Sequence, residues 1–85
     1  MDYIEHTQGT QARIGDTHVG IMRVGDTGDG SVTQLMIRGA DGDRTVIGYE
    51  GDTVDIPGEG AVVIGAASAP DAEHPRWRIA LAHVP

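Results

Sequence analysis

Apolar and polar residues alternate with a period of two along much of this chain, which is the pattern of half-buried β-strands. It is clearest near the C-terminal end, where Trp77, Ile79 and Leu81 share one face and Arg76 and Arg78 point the other way, predicting a strand over residues 76–84. The short apolar run Ala61-Val62-Val63-Ile64-Gly65 has strand length, and the Pro- and acid-containing segment 68–75 separates the two as a loop. In the first half, His18 to Val24 and Ser31 to Arg38 are predicted strands joined by Gly25-Asp26-Thr27-Gly28-Asp29-Gly30, where Asp-Gly supplies turn chemistry. Arg44 to Glu50, Thr53 to Ile56, Tyr3 to Thr7 and a weaker Gln11 to Ile14 complete seven or eight short strands. No segment sustains apolar residues at helical spacing with caps, so helix is confined to a single turn within 66–74 at most. The expected fold is all-β, one domain over residues 1–85, either a small antiparallel β-sandwich or a partly open β-barrel. Its predicted core is Ile4, Val19, Ile21, Leu35, Ile37, Ile47, Val54, Ile56, Val62, Ile64, Trp77, Ile79 and Leu81.

The triplet Gly-Asp-Thr recurs at 15–17, 25–27 and 51–53, and the first and third copies each precede a hairpin-like stretch. That raises a two-fold internal repeat, although the match ends at the triplet.

Composition sharpens the class. Eight Val and eight Ile stand against two Leu, with thirteen Gly and seven Thr, the vocabulary of strands and turns. Cys is absent, which excludes disulfides, thiolate metal sites and cysteine nucleophiles. Lys is absent too, removing Schiff-base amines and the P-loop lysine. Together with the missing Asn and Phe, this bias fits a GC-rich bacterial or phage coding origin. No stretch approaches the roughly 20 apolar residues of a membrane span, and Met1 to Glu5 lacks the start of a secretory signal. A cytoplasmic or virion-associated protein is expected. With six Arg against thirteen acids the net charge is −7, which disfavours nucleic acid and anionic membrane as partners.

Asp26-Thr27-Gly28 carries the most specific chemistry, because D-T-G holds the catalytic Asp of aspartic proteases and retroviral-type enzymes assemble one site from two small all-β subunits. Val62-Val63-Ile64-Gly65 resembles the apolar element that crosses behind that Asp in the family. Here, however, Gly25 precedes the triplet and Asp29-Gly30 follows it, which makes a solvated turn the simpler explanation. The Asp pairs 26/29 and 41/43 miss the EF-hand spacing, and His6, His18, His74 and His83 are scattered, so neither metal nor cofactor is expected. Neither Ser31 nor Ser68 sits in a nucleophile elbow.

Gly51-Asp52-Thr53-Val54-Asp55-Ile56-Pro57-Gly58, followed by the strand Val62 to Ile64 and a last strand Ile79 to Val84, resembles small all-β actinobacterial proteins of about this length that carry a G-D-T turn. The polar run Gly25 to Gly30 and the loop 67–75 depart from that pattern. The resemblance implies a fold and a host, and brings no activity.

The expected function is therefore a non-enzymatic protein-binding or assembly module, working through an edge strand or through the face bearing Arg76 and Arg78, and forming a homo-oligomer through its open edges. Two alternatives stand beside it: a homodimeric aspartic protease using Asp26, Thr27 and Gly28, and an acidic mimic of nucleic acid that binds a basic partner.

Overall fold

The computed structural model describes all 85 residues and contains eight strands and no helix. These are β1 (Tyr3–Thr7), β2 (Gln11–Ile14), β3 (Thr17–Asp26), β4 (Ser31–Gly39), β5 (Gly42–Tyr49), β6 (Thr53–Ile56), β7 (Gly60–Ser68) and β8 (Arg78–Val84). The turns fall on the Gly-Asp vocabulary of the sequence. At the β2–β3 turn Gly15 has φ +59°, and a Cβ there would also overlap the Glu59 carboxylate, which accepts the Asp16 N–H at 3.4 Å. Gly adopts this φ without strain, and any other side chain would also have to displace the Glu59 carboxylate.

The strands form two antiparallel sheets that do not close into a barrel: sheet I in the order β1-β8-β7-β6, and sheet II in the order β2-β3-β4-β5. Two corners carry the chain from one sheet to the other. At the first, Gln8 N–H donates to Trp77 O, just before β8 of sheet I, and Gly9 N–H to Ile21 O of sheet II, at 2.8 and 2.7 Å. At the second, Glu50 N–H donates to Ser31 O of sheet II and Gly51 N–H to Ile64 O of sheet I, at 2.9 and 2.7 Å. Gly9 and Gly51 have φ of 91° and 90°. Each half also has one bulge at the same place in its central hairpin, after Ile21 in β3 and after Ile64 in β7. Replacing each strand by the one four places later converts sheet II into sheet I, so β5–β8 repeat the architecture of β1–β4. The Gly-Asp-Thr triplets do not mark this repeat. Residues 15–17 enter the β2–β3 turn, whereas 51–53 form the second corner, whose counterpart is Gly9-Thr10-Gln11.

The core lies between the sheets. Val19, Ile21, Val24, Leu35 and Ile37 from sheet II meet Val54, Ile56, Val62, Ile64, Ile79 and Leu81 from sheet I. Two expected core residues are outside it. Ile47 pairs with outward Gln34 and is 61% exposed, because its neighbour Val46, opposite buried Leu35, takes the inward position. Ile4 shares the inward face with Leu81, yet it lies on edge strand β1 beyond the cover of the other sheet and is 63% exposed. Val24 was not expected inside; the β3 bulge shifts the alternation and turns it inward. Trp77 packs against the rim of the core, half-buried, rather than filling its centre.

Candidate binding face

The register assigns the outer face of sheet II residue by residue. Its cross-strand rows are Arg13–His18–Arg38–Asp43, then Gln11–Gly20–Met36–Thr45, then Arg23–Gln34–Ile47, then Gly25–Val32–Tyr49. The bulge in β3 places Met22 and Arg23 consecutively on this side, since two residues there oppose one on β4. The result mixes exposed apolar side chains with cations. Met22, Ile47 and Tyr49 are 45%, 61% and 52% exposed, and half of the six Arg project here with Asp43 as the one acid in the rows. Arg38 meets Asp43 at 3.9 Å and Arg13 reaches Asp16 of the adjoining turn at 4.0 Å, both as well-exposed pairs of small energetic weight. Arg23 makes no ion pair.

Two shallow hollows open on this face where glycine omits a side chain. One, about 210 Å³, includes Gly20, Met22 and Met36; the other, about 270 Å³, is bounded by Arg23, Gly25, Val32, Gln34 and Ile47.

The outer face of sheet I is organised differently. A Cβ on Gly65 would meet the Tyr3 ring, so Tyr3 lies across β7 and β8 beside Ala80. Arg78 emerges next to Glu5 and Asp71, pairing with them at 3.3 and 3.4 Å, and only 14% of its side chain is exposed. Its Nε is buried without a partner. Asp71 holds the 69–77 loop in place, accepting the N–H groups of His74 and Glu73 at 2.8 and 2.9 Å. These donors, His74 first, keep its carboxyl below the ordinary value. Arg76 is exposed and lies just before β8; with Arg78, Thr7, Glu73, His74 and Pro75 it borders an open hollow of about 410 Å³. Two carboxylates already balance Arg78, and Glu73 lines the same hollow as Arg76, so the two arginines do not combine into a free cationic patch.

Asp26, Thr27 and Gly28 form the β3–β4 turn. The Asp26 carboxylate accepts the Gly28 N–H at 2.6 Å, Thr27 N–H donates to Gly30 O at 3.0 Å, and Gly28 has φ +90°. All three residues are exposed, and local hydrogen bonding accounts for each of them. The acids are spread over both ends of the sandwich: Asp16, Asp41, Asp43 and Glu59 surround an open hollow of about 430 Å³ at one, while Asp26 and Asp29 occupy the other. No three His, Asp or Glu residues converge in a geometry able to hold a metal ion.

Alternation in the sequence singles out Arg76 and Arg78, whereas the cations that share the outer face of sheet II are Arg13, Arg23 and Arg38. The signal for the latter was present in β4, where Val32, Gln34, Met36 and Arg38 alternate against Thr33, Leu35 and Ile37, leaving apolar residues on both faces. The β3 bulge, which adds Met22 and Arg23 to the same side, has no comparable local signature. Compared with known proteins, the chain matches no family model, no curated protein and no solved structure.

Proposed function

We propose that this chain is a non-enzymatic protein-binding module whose contact surface is the outer face of sheet II. The observation that carries this is the concentration of Met22, Ile47 and Tyr49 with Arg13, Arg23 and Arg38 on one regular sheet face of a chain whose net charge is −7. Apolar residues accompanied by Arg are what interface centres contain, and contiguous exposed apolar surface commonly marks an interaction site. The Asp26 carboxylate is engaged in turn formation.

Four strands at about 4.8 Å spacing make a face roughly 19 Å wide. At about 20–25 Å of strand length it offers roughly 400–500 Å², below the ~800 Å² per partner of a standard stable interface. A transient contact is therefore expected.

The test is capture from a lysate of the source organism on immobilised wild type, Ile47→Glu, Met22→Glu and Arg76→Ala chains. Partners retained by wild type and Arg76→Ala, and lost on both apolar-face variants, support the assignment. Retention that is equal on all four chains, or that is lost only with Arg76→Ala, overturns it.

A further inference from the structure

We infer that the hollow bounded by Arg23, Gly25, Val32, Gln34 and Ile47 is a recognition pocket for an apolar side chain of the partner, whose neighbouring carboxylate pairs with Arg23. This rests on the assignment of the outer face of sheet II as the protein-binding surface, and it names the chemistry that surface selects.

Size is the first argument. At about 270 Å³ the hollow falls below the roughly 300–1,000 Å³ of pockets for drug-sized ligands and cofactors, which suits one side chain rather than a whole small molecule. Its construction is the second. Gly25 pairs with Val32 and contributes no side chain, so the depression lies between Val32 and Ile47 on one side and Arg23 on the other. Val32 and Ile47 supply apolar wall, while Gln34 and the exposed Arg23 supply the polar rim.

Charge gives the third argument. Arg13, Arg38 and Arg78 each meet a carboxylate, and the Arg44 guanidinium donates to Asp55 O. Arg23 has no carboxylate within 4 Å although the chain carries thirteen acids. Arg76 is also unpaired, but the hollow it borders is lined by no Val, Ile, Leu or Met side chain and includes Glu73. Arg23 alone joins a free guanidinium to an apolar depression, and a guanidinium is geometrically suited to a carboxylate. The net charge of −7 further disfavours a phosphate polymer, for which each approach would work against the field of the whole molecule. A protein segment with one carboxylate beside an apolar residue, and otherwise uncharged, satisfies both constraints.

The experiment uses the full chain labelled with ¹⁵N and a blocked peptide, acetyl-Gly-Leu-Asp-Gly-amide, titrated to 10 mM, with acetyl-Gly-Leu-Asn-Gly-amide as its neutral twin. Amide shifts are expected at Gly25, Val32, Gln34 and Ile47. Binding should weaken roughly two- to fivefold for the Asn peptide and equally for the Asp peptide on Arg23→Gln, as expected for one exposed charge-assisted contact. Arg23→Gln is a surface change, and an unaltered spectrum away from the hollow will show that it folds. Equal shifts with both peptides, shifts centred on Arg76, or none at 10 mM each overturn the inference. So does the same pattern produced by oligothymidine, which would assign the face to nucleic acid, or by raising protein concentration alone, which would assign it to a second copy. If captured partners are lost on Ile47→Glu while the peptide leaves the hollow untouched, the binding function stands and the pocket assignment falls.

Discussion

Ser31 shows how a single polar atom steadies this small core. Its hydroxyl donates to Gly65 O at 2.7 Å, joining β4 of sheet II to the bulged stretch of β7 in sheet I, and the residue is 1% exposed. Ser31→Ala strands a buried carbonyl acceptor and should lower stability by about 1–3 kcal/mol in urea denaturation; no change in midpoint would mean that the carbonyl finds another donor. His6 is the residue with a readable pH response. It pairs with Ile79 on the inward side of edge strand β1, and burial holds its pKa below the ordinary 6.5. Between that depressed value and about 6.5 the unfolded chain binds more protons than the folded one. Stability contributed by neutral His6 is therefore present above about pH 6.5 and lost as pH falls toward the folded pKa. Thermal melts between pH 7.5 and 5 should show this decline, and His6→Gln should flatten it; an identical slope in the variant would remove His6 as the cause. Asp71 acts lower, its contribution being present above the ordinary carboxyl pKa of 3.8 and lost below it as the N–H acceptor is protonated.

Elements were legible in the sequence wherever alternation was regular and glycine turns were close. Tyr3–Thr7, Gln11–Ile14 and Thr53–Ile56 are found with the expected bounds. Misjudged boundaries have physical causes. β8 begins at Arg78 rather than 76 because its partners leave there: β7 pairing ends at Ser68 opposite Arg78, and after the Gln8 N–H bond to Trp77 O the chain turns to the other sheet at Gly9. β7 runs on through Gly65 to Ser68, since the bulge restores pairing at Ala67 with Ile79, and a single apolar run ending in Gly gives no hint of that. Ile47 illustrates the remaining ambiguity: beside Val46, either of two adjacent apolar residues satisfies the pattern, and only the pairing with Leu35 selects Val46. The same sheet-to-sheet matching makes an experimental prediction. A Cβ on Gly48 of β5 would overlap Cδ1 of Ile64 on β7. Gly48→Ala should cost about 1–3 kcal/mol by overpacking, and Ile64→Val, which removes Cδ1, about 0.5–1.5 kcal/mol. Combined, the two should be less harmful than their sum by at least roughly 0.5 kcal/mol, because each relieves the other. Strict additivity in a four-protein denaturation cycle would show that the sheets adjust elsewhere.

At the scale of the molecule, of the two expected all-β architectures the chain builds the two-sheet one, with dimensions of 38 × 21 × 21 Å and both sheets open at their edges. The two-fold order of that sandwich makes the position of the chain ends a matter of choice. β1 and β8 are antiparallel neighbours with Tyr3 opposite Ala82, so the termini lie side by side, and in the repeat they stand where the Ala40-Asp41 turn joins β4 to β5. A circular permutant that links Pro85 to Met1 through a short glycine-containing turn, and begins instead at Asp41, should keep all eight strands and both sheet orders. Amide exchange protection matching the parent in β3, β4, β7 and β8 would establish this; loss of protection confined to β4 and β5 would show that their tight turn is a required starting point for assembly. The permutant would present the candidate binding face unchanged while placing free ends beside its Arg38 and Asp43 rim, a convenient site for attaching a probe to that surface.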